Sequence, residues 1–408
     1  MPARPEPAPA LHVTREQALA FRLARHGLGE RRDVALADAS PVPVSDFSRG
    51  AALLALAARS SRVTREGYVA AVDAGELVVG FSLRGALHAV APRDVPLFGR
   101  ALLSGDDAEL GEQLGQQVRR LCAEHALSPR AALDEVADAT HDALADGAAL
   151  AKDELHAALR ERVRPELMPW CKGCGSHHVA PMLWRYGGTV AGMRADADRR
   201  FLLATPAPAP TAPAPDPLDA ARRFLLDDDA APAAADPDPL DAARRFLRAY
   251  APATVADLAA WGGLARAHAR RLLDHLAPEL VAVTADSHPR AKLVALAADA
   301  AALADPPPAP PGLRLLPERD PYLQHPDRTW LTPDPALRKR LHRPVAGPGA
   351  VLLDGTLAGL WRARTKSKRL TFEIEPLTPA LATEPALTAE AARIATLRAA
   401  TTHTLTLA

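Results

Sequence analysis

Apolar residues recur at helical spacing through much of the chain, and the punctuation between them is specific enough to place elements. Thr14 to Arg25 reads as a helix, with Thr14 and Gln17 in capping-box relation and Gly27 as its stop. The run AALLALAARSS (51–61) predicts a short apolar helix. Thr64 then caps a second helix, REGYVAAVDAG, that ends at Gly75. Two strand-like runs follow, ELVVGFSL (76–83) and ALHAV (86–90), hinged at Arg84-Gly85. Helix, turn, helix, hairpin is the order of a winged helix. A weaker version follows: Ser128 caps PRAALDEVADATHDALADG, and KDELHAALRERV (152–163) forms its second helix. The third version runs from DAARRFLRAY (241–250) through the Thr254-capped VADLAAWGGL and ARAHARRLLDHL (265–276) to a strand, ELVAVTAD (279–286).

From Gly312 the pattern changes. AVLLDGTLAGLWRAR holds Asp354-Gly355 between two alternating runs, a strong hairpin signal, and KRLTFEIEPL adds a further strand before a closing helix at 388–400. The expected architecture is therefore mainly α (α+β): tandem winged-helix units followed by a small β domain. Its boundaries fall at 11–110, 111–203, 237–304 and 312–380, with a C-terminal helix and tail over 381–408. Residues 204–236 form a Pro/Ala/Asp-rich linker, and 305–311 (DPPPAPP) a second spacer. Inside the first spacer, PDPLDAARRFL at 215–225 recurs at 237–247. Identity over one short element is not a solenoid repeat. The first copy reads as an exposed insertion, and only the second continues into folded sequence.

Length and composition agree with several packed units. The 408 residues are 48% hydrophobic, 24% charged and 4% aromatic, which suits helical cores rich in Ala and Leu. Three cysteines, Cys122, Cys171 and Cys174, argue against a disulfide framework and indicate a reducing compartment. No N-terminal apolar run has signal-peptide length, and the hydrophobic stretches are interrupted well before membrane-spanning length. The expectation is a cytoplasmic protein without a membrane segment or cofactor. Formal net charge is zero, yet Arg338 to Arg369 carries nine Lys/Arg against the single acid Asp354, while Asp216 to Asp241 carries eight Asp against two Arg. What phosphate binding requires is a local basic face, and the neutral total does not exclude one.

Four groups of residues could carry chemistry. In SLRGALH, Arg84 and His88 sit at the wing hairpin, where Arg84 could reach a phosphate or a groove. Arg362, Arg364, Lys366, Lys368 and Arg369 fall on and just after a strand, where alternate residues share a face and would form one basic stripe. A solvated edge that discourages strand pairing is the bland account of the same stripe. PWCKGCGSHH places Cys171, Cys174, His177 and His178 close together. Without a second ligand pair elsewhere, the expectation is no metal, with buried thiols and a helix start instead. The Asp-Pro pairs of LLPERDPYLQHPDRTWL, which contains Asp320, Tyr322, Asp327 and Arg328, read as turns.

Taken in order, SLRGALH, PWCKGCGSHH, FLRAYAPATVADLAAW, LLPERDPYL and VLLDGTLAGLWRAR resemble the AlkZ/YcaQ-type winged-helix DNA-binding proteins of bacteria, over about residues 14–377. The resemblance implies tandem winged helices plus a β domain that together make a concave surface for double-stranded DNA, and DNA glycosylase activity that removes alkylated bases. Members carry a Gln-x-Gln or Gln-x-Asp motif where this chain reads PVSDFSRG. Ser45 or Val44 stands for the first glutamine, and Asp46 remains as the carboxylate that would activate water beside an oxocarbenium-like sugar. Its other role is helix capping before Phe47-Ser48. Three readings stay open: a monofunctional glycosylase, a non-catalytic DNA-binding protein on the same scaffold, and a zinc-containing interaction module.

Overall fold

The computed structural model describes residues 10–204 and 237–407. The copy of the duplication at 215–225 and all but the first residue of the 204–236 linker lie outside them. Helices and sheets are interleaved along the whole chain. The capping chemistry read from sequence forms as expected: Thr14 and Gln17 close a reciprocal box on the helix Arg15–Arg25, Thr64 accepts from Gly67 N, and Gly75 ends the helix Arg65–Ala74 in the left-handed conformation. Thr254 and Asp257 box the start of Val255–Gly262.

The first two units are joined by one five-stranded sheet. Its order is Val44–Ser45, Leu87–Val90, Val78–Phe81, Met193–Ala195, Phe201–Leu203, antiparallel throughout. The hairpin of the first unit thus pairs directly with that of the second, across the boundary expected at residue 110. Val79 lies opposite Ala195 and Ser45 opposite His88. Burial of apolar side chains against this sheet, among them Phe81, Trp184 and Phe201, supplies about 2–3 kcal/mol each.

The N-terminal helix belongs elsewhere than the sequence suggests. The strand Leu11–His12 runs parallel to Leu280–Thr284, which also pairs with Leu293–Leu296. Phe21 shares a core with Val283, Leu293 and Trp330. Arg22 is buried, donates to Ala251 O (3.1 Å) and Pro252 O (2.8 Å), and stacks its guanidinium over Trp330. Periodicity identifies a helix but not its partner, so residues 11–25 pack with the third unit rather than the first. The second copy of the duplication is the helix Pro239–Tyr250, whose Phe246, Leu247 and Tyr250 are buried.

The C-terminal sheet has the order Leu313–Leu316, Gly349–Leu353, Thr356–Lys366, Arg369–Pro376, Thr402–Leu407. Asp354 and Gly355 both have positive φ (48° and 76°), as a two-residue hairpin turn requires. The residues beyond the helix Ala386–Leu397, expected only as a tail, form the edge strand, parallel to Arg369–Pro376. Trp361, Phe372 and Ile394 join the same apolar cluster as Leu54, Leu133 and Leu183. No helix among the described residues is long and apolar enough to cross a membrane.

Candidate active site

A cavity of about 420 Å³ opens where these units meet. One wall is the first sheet, through Ser45, Phe81, His88 and Phe201. Others come from Trp184 and Arg185 of the helix Pro181–Val190, from Tyr250 and Trp261 of the third unit, and from Arg319 and Gln324 of the 318–324 segment. The aromatic rings brace one another: Trp184 meets Phe81 edge-on at 5.0 Å and Phe201 at 5.5 Å. Arg319 stacks over Phe47, which is 57% exposed at the rim. Arg84, Lys152, Arg185 and Arg319 supply positive charge, and no Asp or Glu lines the cavity among the described residues.

Asp46 is absent from that lining because strand alternation turns it away. Pro43, Ser45 and Phe47 face the cavity, whereas Val44 and Asp46 point into the core at 1% and 3% exposure. The carboxylate accepts from Ala52 N (3.0 Å) at the start of the helix Ala51–Ala57 and from Tyr68 Oη (3.4 Å), and it pairs with Arg199 at 2.6 Å. Burial outweighs the Arg199 pair and holds the carboxyl above its ordinary range. Asp46 therefore accepts from the first turn of a helix whose N-cap is Gly50, and it ties the 193–203 hairpin to the first unit. In this geometry it has no access to a substrate in the cavity.

Arg84 does line the cavity, but not as a projecting wing tip. It sits at φ 57° in a tight turn between the two strands, and its guanidinium donates to Trp261 O (2.7 Å), at the carboxyl end of the helix Val255–Gly262. The turn is tucked inward: a Cβ on Gly85 would stand 3.2 Å from Met182 and 3.3 Å from Arg185. His88 is 4% exposed, and its Nδ1 lies 2.9 Å from Ala86 O. Ser82 Oγ lies equally close to Nδ1, at 2.9 Å, and can donate or accept, whereas a carbonyl only accepts. The tautomer that serves both contacts has the proton on Nδ1 and the lone pair on Nε2. Burial, with the Arg84 charge behind it, lowers the imidazole to about 3. His88 is thus a neutral acceptor in the cavity wall, directly across the sheet from Ser45.

The basic stripe is only partly a stripe. Arg362, Arg364 and Lys366 alternate along Thr356–Lys366, and Arg369 stands opposite Lys366. Lys368 is off the strand, in the turn beside Ser367 (φ 55°). Arg362 donates to Ala346 O, and Arg364 lies 3.5 Å from Glu373. The free charge is therefore concentrated at the exposed hairpin tip. The thiols of Cys171 and Cys174, expected to be buried, are half-buried and exposed on a short hairpin.

Sequence reasoning missed the cavity's aromatic wall and the buried pair Arg59–Asp320. Trp184 lies in no quoted motif, and Tyr250 and Trp261, though both within FLRAYAPATVADLAAW, show no common pocket in the sequence; only the fold gathers the three. A signal for Arg59 did exist: it is the lone charge ending an otherwise apolar helix.

A family model described as DNA glycosylase AlkZ-like matches residues 31–397. Among solved structures, the Streptomyces sahachiroi DNA glycosylase AlkZ is similar in fold, with a TM-score of 0.67 at 22% identity over 97% of this chain and 100% of that one. No curated protein sequence matches.

Proposed function

The chain belongs to the AlkZ-like DNA glycosylase family, and on that premise we propose that it excises alkylated bases from double-stranded DNA in the cytoplasm, with the base flipped into the central cavity. The three helix-and-hairpin units are read as tandem winged helices facing the duplex. A base inside a duplex is out of reach, so the nucleotide must leave the stack and enter a pocket of its own. The observation that carries the proposal is the cavity itself, with aromatic rings able to stack on a base and arginines able to meet its phosphates. An electron-poor alkylated base gains further from the aromatic faces.

The chemistry follows from what the cavity contains. Excision breaks the bond between sugar and base, the bonding pair leaves with the base, and water attacks the oxocarbenium-like carbon. A cationic N-alkylated base departs as a neutral molecule, so no acid is needed to protonate it. Water then needs an acceptor. No carboxylate lines the cavity among the described residues, and His88, held at about 3, is too weak a base to take the proton. Its Nε2 instead orients the attacking water by a hydrogen bond, with Ser45 on the same wall and the proton passing to solvent, and Asp46 is left to hold the strand that presents Ser45. His88→Ala is expected to lower the single-turnover excision rate about a hundredfold. The structurally conservative Asp46→Asn keeps the Ala52 cap and is expected to stay within a few-fold of wild type. Incubation with N7-methylated duplex, followed by strand cleavage at abasic sites, measures both. The opposite ranking would return catalysis to Asp46. Binding without excision on any alkylated duplex would favour the non-catalytic reading, which the lack of a lining carboxylate among the described residues supports.

DNA affinity is expected to be largely independent of sequence and to weaken as salt rises. The Arg364→Ala, Lys366→Ala, Lys368→Ala triple variant should flatten the log-log salt dependence by up to about three units, roughly one for each phosphate no longer neutralised. An unchanged slope would remove the hairpin tip from the interface.

A further inference from the structure

The Trp170–Cys171 and Ser176–His177 strands form a small hairpin that precedes the cavity-lining helix Pro181–Val190. Its turn is wound around one carbonyl: Cys171 O accepts from Cys174 N (3.2 Å) and from Gly175 N (2.9 Å). Gly175 holds φ 62°, a conformation that lets the chain reverse directly after the second cysteine. The turn brings the two thiols to the same side, where they meet His178. The donor atoms of Cys171, Cys174 and His178 all lie within 4.8 Å of one another.

From this juxtaposition we propose that Cys171, Cys174 and His178 bind a zinc ion, with water in the fourth position. Two soft thiolates and an imidazole are the donor set zinc favours, and three protein ligands plus an open position is one of its common arrangements. A tetrahedral ion with bonds of about 2.3 Å to sulfur and about 2.1 Å to nitrogen sets its ligands roughly 3.5–3.8 Å apart, so the hairpin has to close by no more than about 1 Å. The imidazole is already oriented. His178 Nδ1 lies 2.9 Å from Val179 O, so it carries the proton and leaves Nε2 as the ligating atom. The adjacent His177 diverges, its Nδ1 committed to Met168 O at 2.9 Å. Adjacent histidines rarely share one ion, and here only His178 is placed to ligate.

The ion would act on the cavity at one remove. The His178 ring rests on His156 with centroids 5.1 Å apart, and His156 rests on Trp184 of the cavity wall at 4.8 Å. Fixing His178 fixes the chain that leads into the Pro181–Val190 helix. This role is independent of base excision, and a protein that only binds DNA would keep it.

The test is elemental analysis of the full chain purified from zinc-supplemented cells, alongside cobalt titration of the metal-stripped protein. One zinc per chain is expected. Metal content should fall at least about tenfold in Cys171→Ser, Cys174→Ser and His178→Ala and stay at wild-type level in His177→Ala. Because a ligand variant can fail to fold, cobalt bound to the wild-type chain provides a second measurement: a thiolate-to-cobalt charge-transfer band and tetrahedral d–d bands are expected. Three results would overturn the proposal: wild type with no stoichiometric metal and no cobalt bands, a Cys171–Cys174 disulfide in the protein purified under reducing conditions, or loss of metal in His177→Ala to the same degree as in His178→Ala.

Discussion

Truncating Asp320 to alanine is expected to cost about 3–5 kcal/mol of stability, a large share of what a domain has to spare. Arg59 and Asp320 are both fully buried, and the guanidinium and carboxylate meet in two parallel bonds of 2.7 Å. Two further Arg59 donors are also taken, Nε by His26 O at 2.8 Å and NH1 by Ala55 O at 2.7 Å. In the Asp320→Ala variant a guanidinium stays behind in a dry site with its charge uncompensated, and that residue of charge is most of the cost. Replacing both partners with apolar residues of similar size is expected to be milder than the single truncation, because no lone charge remains. Urea unfolding of the two single variants and the double variant measures this. A loss below about 1 kcal/mol for Asp320→Ala would show that water reaches the site. The pair also matters to the cavity. Asp320 accepts from Tyr322 N at 3.0 Å and so starts the turn that presents Pro321 and Gln324 to the cavity wall. Excision should therefore fall in Asp320→Ala even at temperatures where the chain remains folded.

Acidification below pH 6.5 is expected to destabilise the protein, above the range where paired carboxylates titrate. His26, His88 and His325 are buried, and burial holds all three below the ordinary histidine value of 6.5, His88 at about 3. The unfolded chain therefore binds protons that the folded chain refuses. Stability is level above pH 6.5 and falls as pH drops through 6.5 toward the folded-state values, by about 1.4 kcal/mol per pH unit for each imidazole. His88 alone, held at about 3, removes about 2 kcal/mol by pH 5, and His26 and His325 act in the same direction. Urea midpoints across a pH series would show this, and His88→Gln should remove the His88 share of the slope. Midpoints that hold steady down to pH 5 would mean that these rings take up protons without unfolding.

Local chemistry was legible in the sequence wherever it is strictly local. Thr14, Thr64, Ser128 and Thr254 cap helices because a side-chain oxygen there answers a backbone N–H three residues on, a relation contained in the sequence itself. The Asp354-Gly355 turn was readable for the same reason. What failed was partnership at a distance. Periodicity could not show that Phe21 packs beneath Val283, nor that the strand at 402–407 docks beside 369–376. Asp46 marks the boundary between the two. Its position in the chain suggested catalysis, but the pleat of a two-residue strand decides which way it faces, and the sequence does not say which of Ser45 and Asp46 looks inward. The hairpin with the two cysteines meets the same limit. Its sequence offers no distant ligand pair to suggest a metal, while the third donor lies four residues beyond Cys174.

The pairing of Leu11–His12 with Leu280–Thr284 bears on how the chain is made. A ribosome releases the first helix long before it releases the strand and core that cover Phe21 and Arg22. Until residue 284 emerges, that helix carries an uncovered apolar face and a short strand without its ladder. The first two units, whose shared sheet closes by residue 203, can settle in the meantime. Residues 11–25 are thus made well before the partners that cover them, and their docking has to wait for residues about 270 positions further along the chain.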